Sequence, residues 1–137
     1  MTGVDLGEFR TAFVLEAEEL LTSANRQLLA LDGSVRRGEP NVRAVRELFR
    51  AMHTIKGLSA MVAVEPVVAL AHRMEAALRA ADRRGGGFDL GAVDLMLTGV
   101  RAIDQRVQAV ADRREPEDAP ADLLARLERA AAPEPVP

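Results

Sequence analysis

From about Asp5 to Ala131, apolar residues recur at every third or fourth position in five segments, and the stretches between them are rich in glycine and proline. This alternation constrains the fold more than any other feature. A period near 3.6 residues gathers the apolar side chains of a segment into one stripe, and each stripe must be buried against another helix.

The first segment runs from about Asp5 to Leu31, with Phe9, Phe13, Leu20, Leu28 and Leu31 at apolar positions and Glu16, Glu18 and Glu19 between them. "DGSVRRGEPN" then breaks the pattern through Gly33, Gly38 and Pro40, and Asn41 is placed to cap a second helix. "VAVEP" ends that helix. A third starts at Glu65 or Pro66, where proline suits the first turn, and runs to Arg84. "RRGGGFD" forms a turn; it is not a phosphate-cradling loop, because no Lys-Ser/Thr pair follows it and no strand precedes it. The fourth helix spans roughly Leu90 to Asp112, with Val93, Leu97, Val100, Ile103, Val107 and Val110 as its apolar stripe at spacings of three and four, and a short fifth covers about Ala121 to Ala131 with Leu123, Leu124 and Leu127.

Short connections between long amphipathic helices make neighbours antiparallel, so the expected fold is all-α. It is an up-down-up-down four-helix bundle with a short C-terminal accessory helix. One domain over residues 1–131 is expected, with "APEPVP" from 132 to 137 as the start of a Pro-rich linker. Apolar residues make up 48% of the chain, yet there is no Trp or Tyr and only four Phe, so Leu, Val, Ala and Met must fill the core. Met52, Met61, Met74 and Met96 are assigned there.

Composition also excludes function classes. The chain has 137 residues, too few for a small domain plus a nucleotide-binding catalytic domain. Net charge is −3, and eighteen basic residues, seventeen of them Arg, are scattered among acidic ones, which argues against nucleic acid as a partner. Without cysteine there are no disulfides, thiolate nucleophiles or thiolate-bound metals. No segment reaches transmembrane length and "MTGVDLGEFR" lacks the features of a signal peptide, so no membrane association and a cytoplasmic location are expected.

The chemistry concentrates in "FRAMHTIKGLSAM", residues 49–61. On a helical wheel Val45, Leu48, Met52, Ile55 and Ser59 form the buried stripe, and His53 lies about 120° from its centre, at a boundary. One turn beyond His53 stands Lys56, the sole lysine of the chain, followed by Gly57. A phosphoryl group on an imidazole nitrogen carries about two negative charges, which Lys56 can attend. Glycine inside a helix costs about 0.5–1 kcal/mol relative to alanine, and open access to the ring would account for it.

On the third helix Val67, Leu70, Met74 and Leu78 form the stripe, and Glu75 sits about 100° off it. If the two boundary edges face each other, Glu75 can accept the Nδ1–H of His53 and leave Nε2 unprotonated and nucleophilic. Glu75 is equally placed for an i,i+4 pair with Arg79. His72, about 160° off the stripe, reads as exposed. Two other readings compete with this one. A bundle di-metal site needs several inward carboxylates and Glu-x-x-His pairs, and the chain has two histidines, both off the stripes. A non-catalytic helical adaptor explains the bundle but leaves the His, Lys, Gly and Glu grouping as coincidence.

"FRAMHTIKG" together with "HRME", nineteen residues on from His53 to His72, resembles the histidine phosphotransfer (HPt) domain at the N-terminus of CheA-type chemotaxis histidine kinases. The likeness extends to the long first helix with "LEAEELL" and to the trailing linker. The resemblance implies that His53 is the phosphoacceptor, Lys56 and Gly57 its supporting pair, Glu75 the partner of the imidazole, and His72 a second histidine assisting the site. It implies a phosphocarrier that is not an enzyme as an isolated domain and holds no cofactor of its own. ATP and Mg would be bound on a separate kinase catalytic domain, and the phosphoryl group would pass to an aspartate of a response regulator receiver domain. After the motif this chain carries "LSAMVAV", where chemotaxis kinases have small residues and a Phe.

Overall fold

The computed structural model describes residues 6–133 as five α-helices, with no strand among them: α1 (Leu6–Arg36), α2 (Val42–Met61), α3 (Glu65–Arg83), α4 (Leu90–Ala111) and α5 (Ala121–Ala131). Helix α1 packs on α2 and α4, α2 packs on α3, and α3 on α4, which closes the four-helix bundle; α5 lies against α3 and the edge of α4. The expected bundle with a C-terminal accessory helix is thus the observed one.

The stripes read from the sequence are the core. Val45, Leu48, Met52, Ile55 and Ser59 of α2 are buried, as are Val67, Leu70, Met74 and Leu78 of α3. Full burial of each such apolar side chain contributes about 1.5–3 kcal/mol. Exposed ion pairs such as Arg46 Nε to Asp82 Oδ1 at 3.0 Å contribute about 0–1 kcal/mol. The α2–α3 seam is therefore set by apolar packing, with polar contacts selecting its register.

The caps follow the sequence. Asn41 Oδ1 accepts from the Ala44 N–H at 3.0 Å, and Asp89 Oδ1 accepts from the Ala92 N–H at 2.7 Å. Pro66 occupies the first turn of α3. Between α2 and α3 the chain reverses through Ala63, whose φ of 59° is left-handed, while the Val64 N–H bonds back to the Ser59 carbonyl at 2.9 Å. Between α3 and α4, Gly86 has φ 81°, and a Cβ there would stand 2.9 Å from the backbone nitrogen of Val42. Only glycine fits that close approach. A second one lies between α3 and α4, where a Cβ on Gly99 would come 2.6 Å from Met74 Sδ.

Four expectations need correction. Helix α1 does not stop at Leu31 but continues to Arg36. Gly33 weakens a helix without ending it, and the next residue, Ser34, is buried, its Oγ accepting from Asn41 Nδ2 at 3.0 Å. The break falls instead at Gly38, with φ 69°, and Pro40. Met61 is not core: it is 78% exposed, because it ends α2 on the same face as His53 and Gly57 rather than on the buried stripe. Phe9 is exposed near the start of α1 rather than buried with Phe13. Leu97, read as part of the α4 stripe, is only partly buried, while Leu95 and Met96 beside it are buried. Of the Pro-rich segment, Ala132 and Pro133 are exposed, and residues 134–137 lie outside the described residues, as does Asp5.

Candidate functional site

Helices α2 and α3 run antiparallel, and a series of contacts one turn apart joins their edges. Val42 meets Gly86, Arg46 meets Asp82, Phe49 meets Arg79, and His53 meets Glu75. Each turn forward on α2 is matched by one turn back on α3, as an antiparallel pair with a fixed register requires. The His53–Glu75 rung carries the chemistry.

His53 Nδ1 lies 2.7 Å from Glu75 Oε1, the contact that the two helical wheels suggested. Lys56 Nζ donates to the other carboxylate oxygen, Oε2, at 2.8 Å. Both oxygens of Glu75 thus face donors, and an acceptor at Nδ1 assigns the ring proton to that nitrogen, leaving the lone pair on Nε2. The His53 side chain is 64% exposed, so a nucleophilic nitrogen stands at the surface while its orienting carboxylate stays inside.

That depth is a correction. Glu75 was expected on an open boundary but is 2% exposed, because α2 and the stem of Lys56 cover the edge that a single-helix wheel leaves bare. A buried carboxylate needs compensation, and here it receives it from an ammonium and an imidazole N–H. Lys56, 28% exposed, therefore anchors Glu75 rather than standing free beside the ring. The i,i+4 pair of Glu75 with Arg79 is not formed. The Arg79 guanidinium instead lies over the Phe49 ring, 5.3 Å from its centroid.

Gly57 is exposed, and a Cβ there would meet nothing within 4 Å. The surface one turn past His53 is open. His72 is exposed and lines a shallow groove between α3 and α5 with Arg73, Ala76, Glu128, Ala131 and Ala132. Among the described residues it has no hydrogen-bond or ion-pair partner, so it is not part of the His53–Glu75–Lys56 network.

Three side chains make contacts of structural weight that were not read from the sequence. Phe49 stacks on His53 with ring centroids 6.1 Å apart and planes 14° from parallel; the i,i+4 spacing on α2 was a signal for it. Its partner Arg79 is the second. The third is Arg106, buried in α4, which donates to the carbonyls of Ala102, Glu117 and Asp118 at 2.9, 3.1 and 2.6 Å and so ties down the connection into α5. Backbone acceptors leave no side-chain pattern, and no sequence signal pointed to it.

Among the described residues no group of three or more His, Cys, Asp or Glu side chains could hold a metal ion, and no helix is long and apolar enough to cross a membrane.

The family model described as the Hpt domain matches residues 8–113. Chemotaxis protein CheA of Bacillus subtilis is 27% identical over 111 residues, covering 80% of this chain and 16% of that protein. The CheA of Cereibacter sphaeroides is 28% identical over 132 residues, covering 96% of this chain and 19% of that protein. That of Halobacterium salinarum is 31% identical over 112 residues, covering 78% and 16%. The chain thus spans less than a fifth of the length of these relatives. Among solved structures, the phosphorylated P1 domain of CheA3 in complex with CheY6 from R. sphaeroides superposes with a TM-score of 0.74 at 25% identity, covering 90% of this chain and 94% of that one.

Proposed function

The chain belongs to the Hpt domain family, and on that premise we propose that it is the phosphocarrier domain of a CheA-like histidine kinase, with His53 as the residue that carries the phosphoryl group. The observation that carries the proposal is the pairing of an exposed imidazole with a buried carboxylate at Nδ1.

In the forward step the Nε2 lone pair attacks the γ-phosphorus of ATP held, with its Mg, on a separate kinase catalytic domain. The bond from that phosphorus to the bridging oxygen breaks, and ADP leaves with the electron pair. The phosphorylated ring keeps its Nδ1–H and gains positive charge, which Glu75 faces at hydrogen-bond distance. Lys56 fixes Glu75, and its remaining N–H donors can meet phosphoryl oxygens. In the second step a carboxylate oxygen of a receiver-domain aspartate attacks phosphorus, the Nε2–P bond breaks and the pair returns to Nε2. The solved neighbour, a phosphorylated P1 domain bound to CheY6, supports a response regulator as acceptor. Gly57 leaves room for both partners. His72 takes at most an assisting part. The domain has no ATP-binding machinery of its own, and with ATP as donor it works in the cytoplasm.

Incubation with a CheA-type catalytic domain and Mg-ATP tests this by intact mass. The expected product gains one phosphoryl group, lost in acid and kept in base as a phosphoramidate is. His53→Gln takes up none, and His72→Gln at most slows uptake. Acid-stable label, or label surviving in His53→Gln, would overturn the assignment, and an adaptor without chemistry would gain no mass at all.

A further inference from the structure

One hydrogen bond does not fix an imidazole. Glu75 holds Nδ1 at 2.7 Å, but the second torsion of histidine is broad, so a ring tethered at one atom on a surface can still swing about that atom. Nε2, two bonds from the tethered nitrogen, is re-aimed by each such swing. The 64% exposure of the side chain leaves few other atoms to stop it.

The structure supplies a wall. Phe49, one turn before His53 on α2, lies nearly parallel to the imidazole, with planes 14° apart and centroids separated by 6.1 Å. Phe49 is in turn half-buried against the core and covered by the Arg79 guanidinium at 5.3 Å. Arg79 stands one turn beyond Glu75 on α3, so the carboxylate and the guanidinium are consecutive rungs of the same helix pair. One rung holds an atom of the ring; the other sets its plane. Arg79 has no carboxylate partner among the described residues, which leaves its charge to the aromatic face.

We propose that Phe49, held in place by Arg79, is a positioning residue that sets the plane of the His53 ring and thereby aims Nε2 outward for phosphoryl transfer. The inference rests on the phosphocarrier reading above, and it places Phe49 beside the reacting ring, stacked on it, and away from the phosphoryl group. A half-buried phenylalanine that only filled space would be replaceable by any apolar residue of similar bulk. A wall would require an aromatic plane.

The test compares Phe49→Leu, Phe49→Tyr, Arg79→Gln and Arg79→Lys in two measurements: initial phosphorylation rate with a catalytic domain and Mg-ATP, and the NMR shifts of the His53 ring protons, which the Phe49 ring current displaces. Phe49→Leu is expected to lose the ring-current displacement and to slow phosphorylation about fivefold, the cost of a less well-aimed nucleophile, with circular dichroism unchanged. Phe49→Tyr restores both. Arg79→Gln gives a smaller loss of both, and Arg79→Lys, which keeps the cation, recovers part of it. If Phe49→Leu perturbs the fold, the exposed Arg79 pair carries the test alone. A Phe49→Leu protein that loses the ring-current displacement yet reacts at the wild-type rate overturns the inference and leaves the phosphocarrier reading standing. A wild-type protein that takes no label at His53 overturns both.

Discussion

Replacing Glu75 by glutamine keeps the shape of the side chain and removes one of its two acceptors. In the native site one oxygen faces His53 Nδ1 at 2.7 Å and the other faces Lys56 Nζ at 2.8 Å. A glutamine must choose. With its oxygen toward His53 it preserves the Nδ1–H tautomer but turns its NH2 donors on the ammonium. With its oxygen toward Lys56 it presents N–H to Nδ1, which must then accept, and the ring proton moves to Nε2, where it blocks attack. Both orientations keep a neutral bond to the imidazole, but only the Lys56-facing one keeps the bond to the charged donor, worth about 1.5–3 kcal/mol, so it wins by at least about 1.4 kcal/mol, a factor of about ten or more. Glu75→Gln is therefore expected to phosphorylate about tenfold more slowly, with thermal stability close to wild type because the buried volume is unchanged. The mechanism is checked by a double-mutant cycle with Lys56→Met, since without the ammonium the amide is free to turn its oxygen to His53. Initial rates with a catalytic domain and Mg-ATP are compared in both backgrounds, and the cost of Glu75→Gln should shrink to about threefold or less when Lys56 is absent. An equal cost in both backgrounds would refute the argument that Lys56 dictates what Glu75 offers the imidazole.

Two further outcomes follow from the same geometry. Gly57→Leu should leave the melting temperature equal or higher, since a Cβ there meets nothing and leucine gains about 0.5–1 kcal/mol over glycine in a helix, while phosphorylation falls sharply through blocked access; full reactivity in the folded variant would show that the open surface beyond His53 is irrelevant. Arg106→Met should cost about 2–3 kcal/mol, because three bonds to the carbonyls of Ala102, Glu117 and Asp118 go, seen as a drop of about 10 °C in a thermal melt; a change within about 2 °C would mean that those carbonyls find water at no cost.

What the sequence made legible was what a single helix dictates. The α2 stripe from Val45 to Ser59 and the α3 stripe from Val67 to Leu78 were read without error, because periodicity alone determines which face is apolar. The facing of His53 and Glu75 was legible as well, since two boundary edges on antiparallel neighbours have few places to go. The burial of Glu75 was not, because it depends on the partner helix and on the reach of Lys56 across the seam. The end of α1 was misjudged because Gly33 looks like a breaker, whereas the buried Ser34 and its bond from Asn41 decide the matter from a residue seven positions away. Arg79 was read toward the nearest carboxylate on its own helix, and the competing aromatic face lies on another.

The meeting of Gly86 with Val42 has a consequence for accuracy at a distance. Val42 opens α2 and His53 lies eleven residues along it, about 16 Å at 1.5 Å per residue. A helix under axial push behaves as a stiff rod, so a displacement imposed at its first turn arrives nearly undiminished at the imidazole. The hydrogen-bond window is narrow, about 2.7–3.2 Å for a nitrogen donor and an oxygen acceptor, and a shift of half an ångström is a sizeable part of it. The missing side chain of Gly86 therefore acts as an end-stop gauge: it sets how far α2 can seat against the turn after α3, and so the alignment of a nitrogen and an oxygen that it never touches.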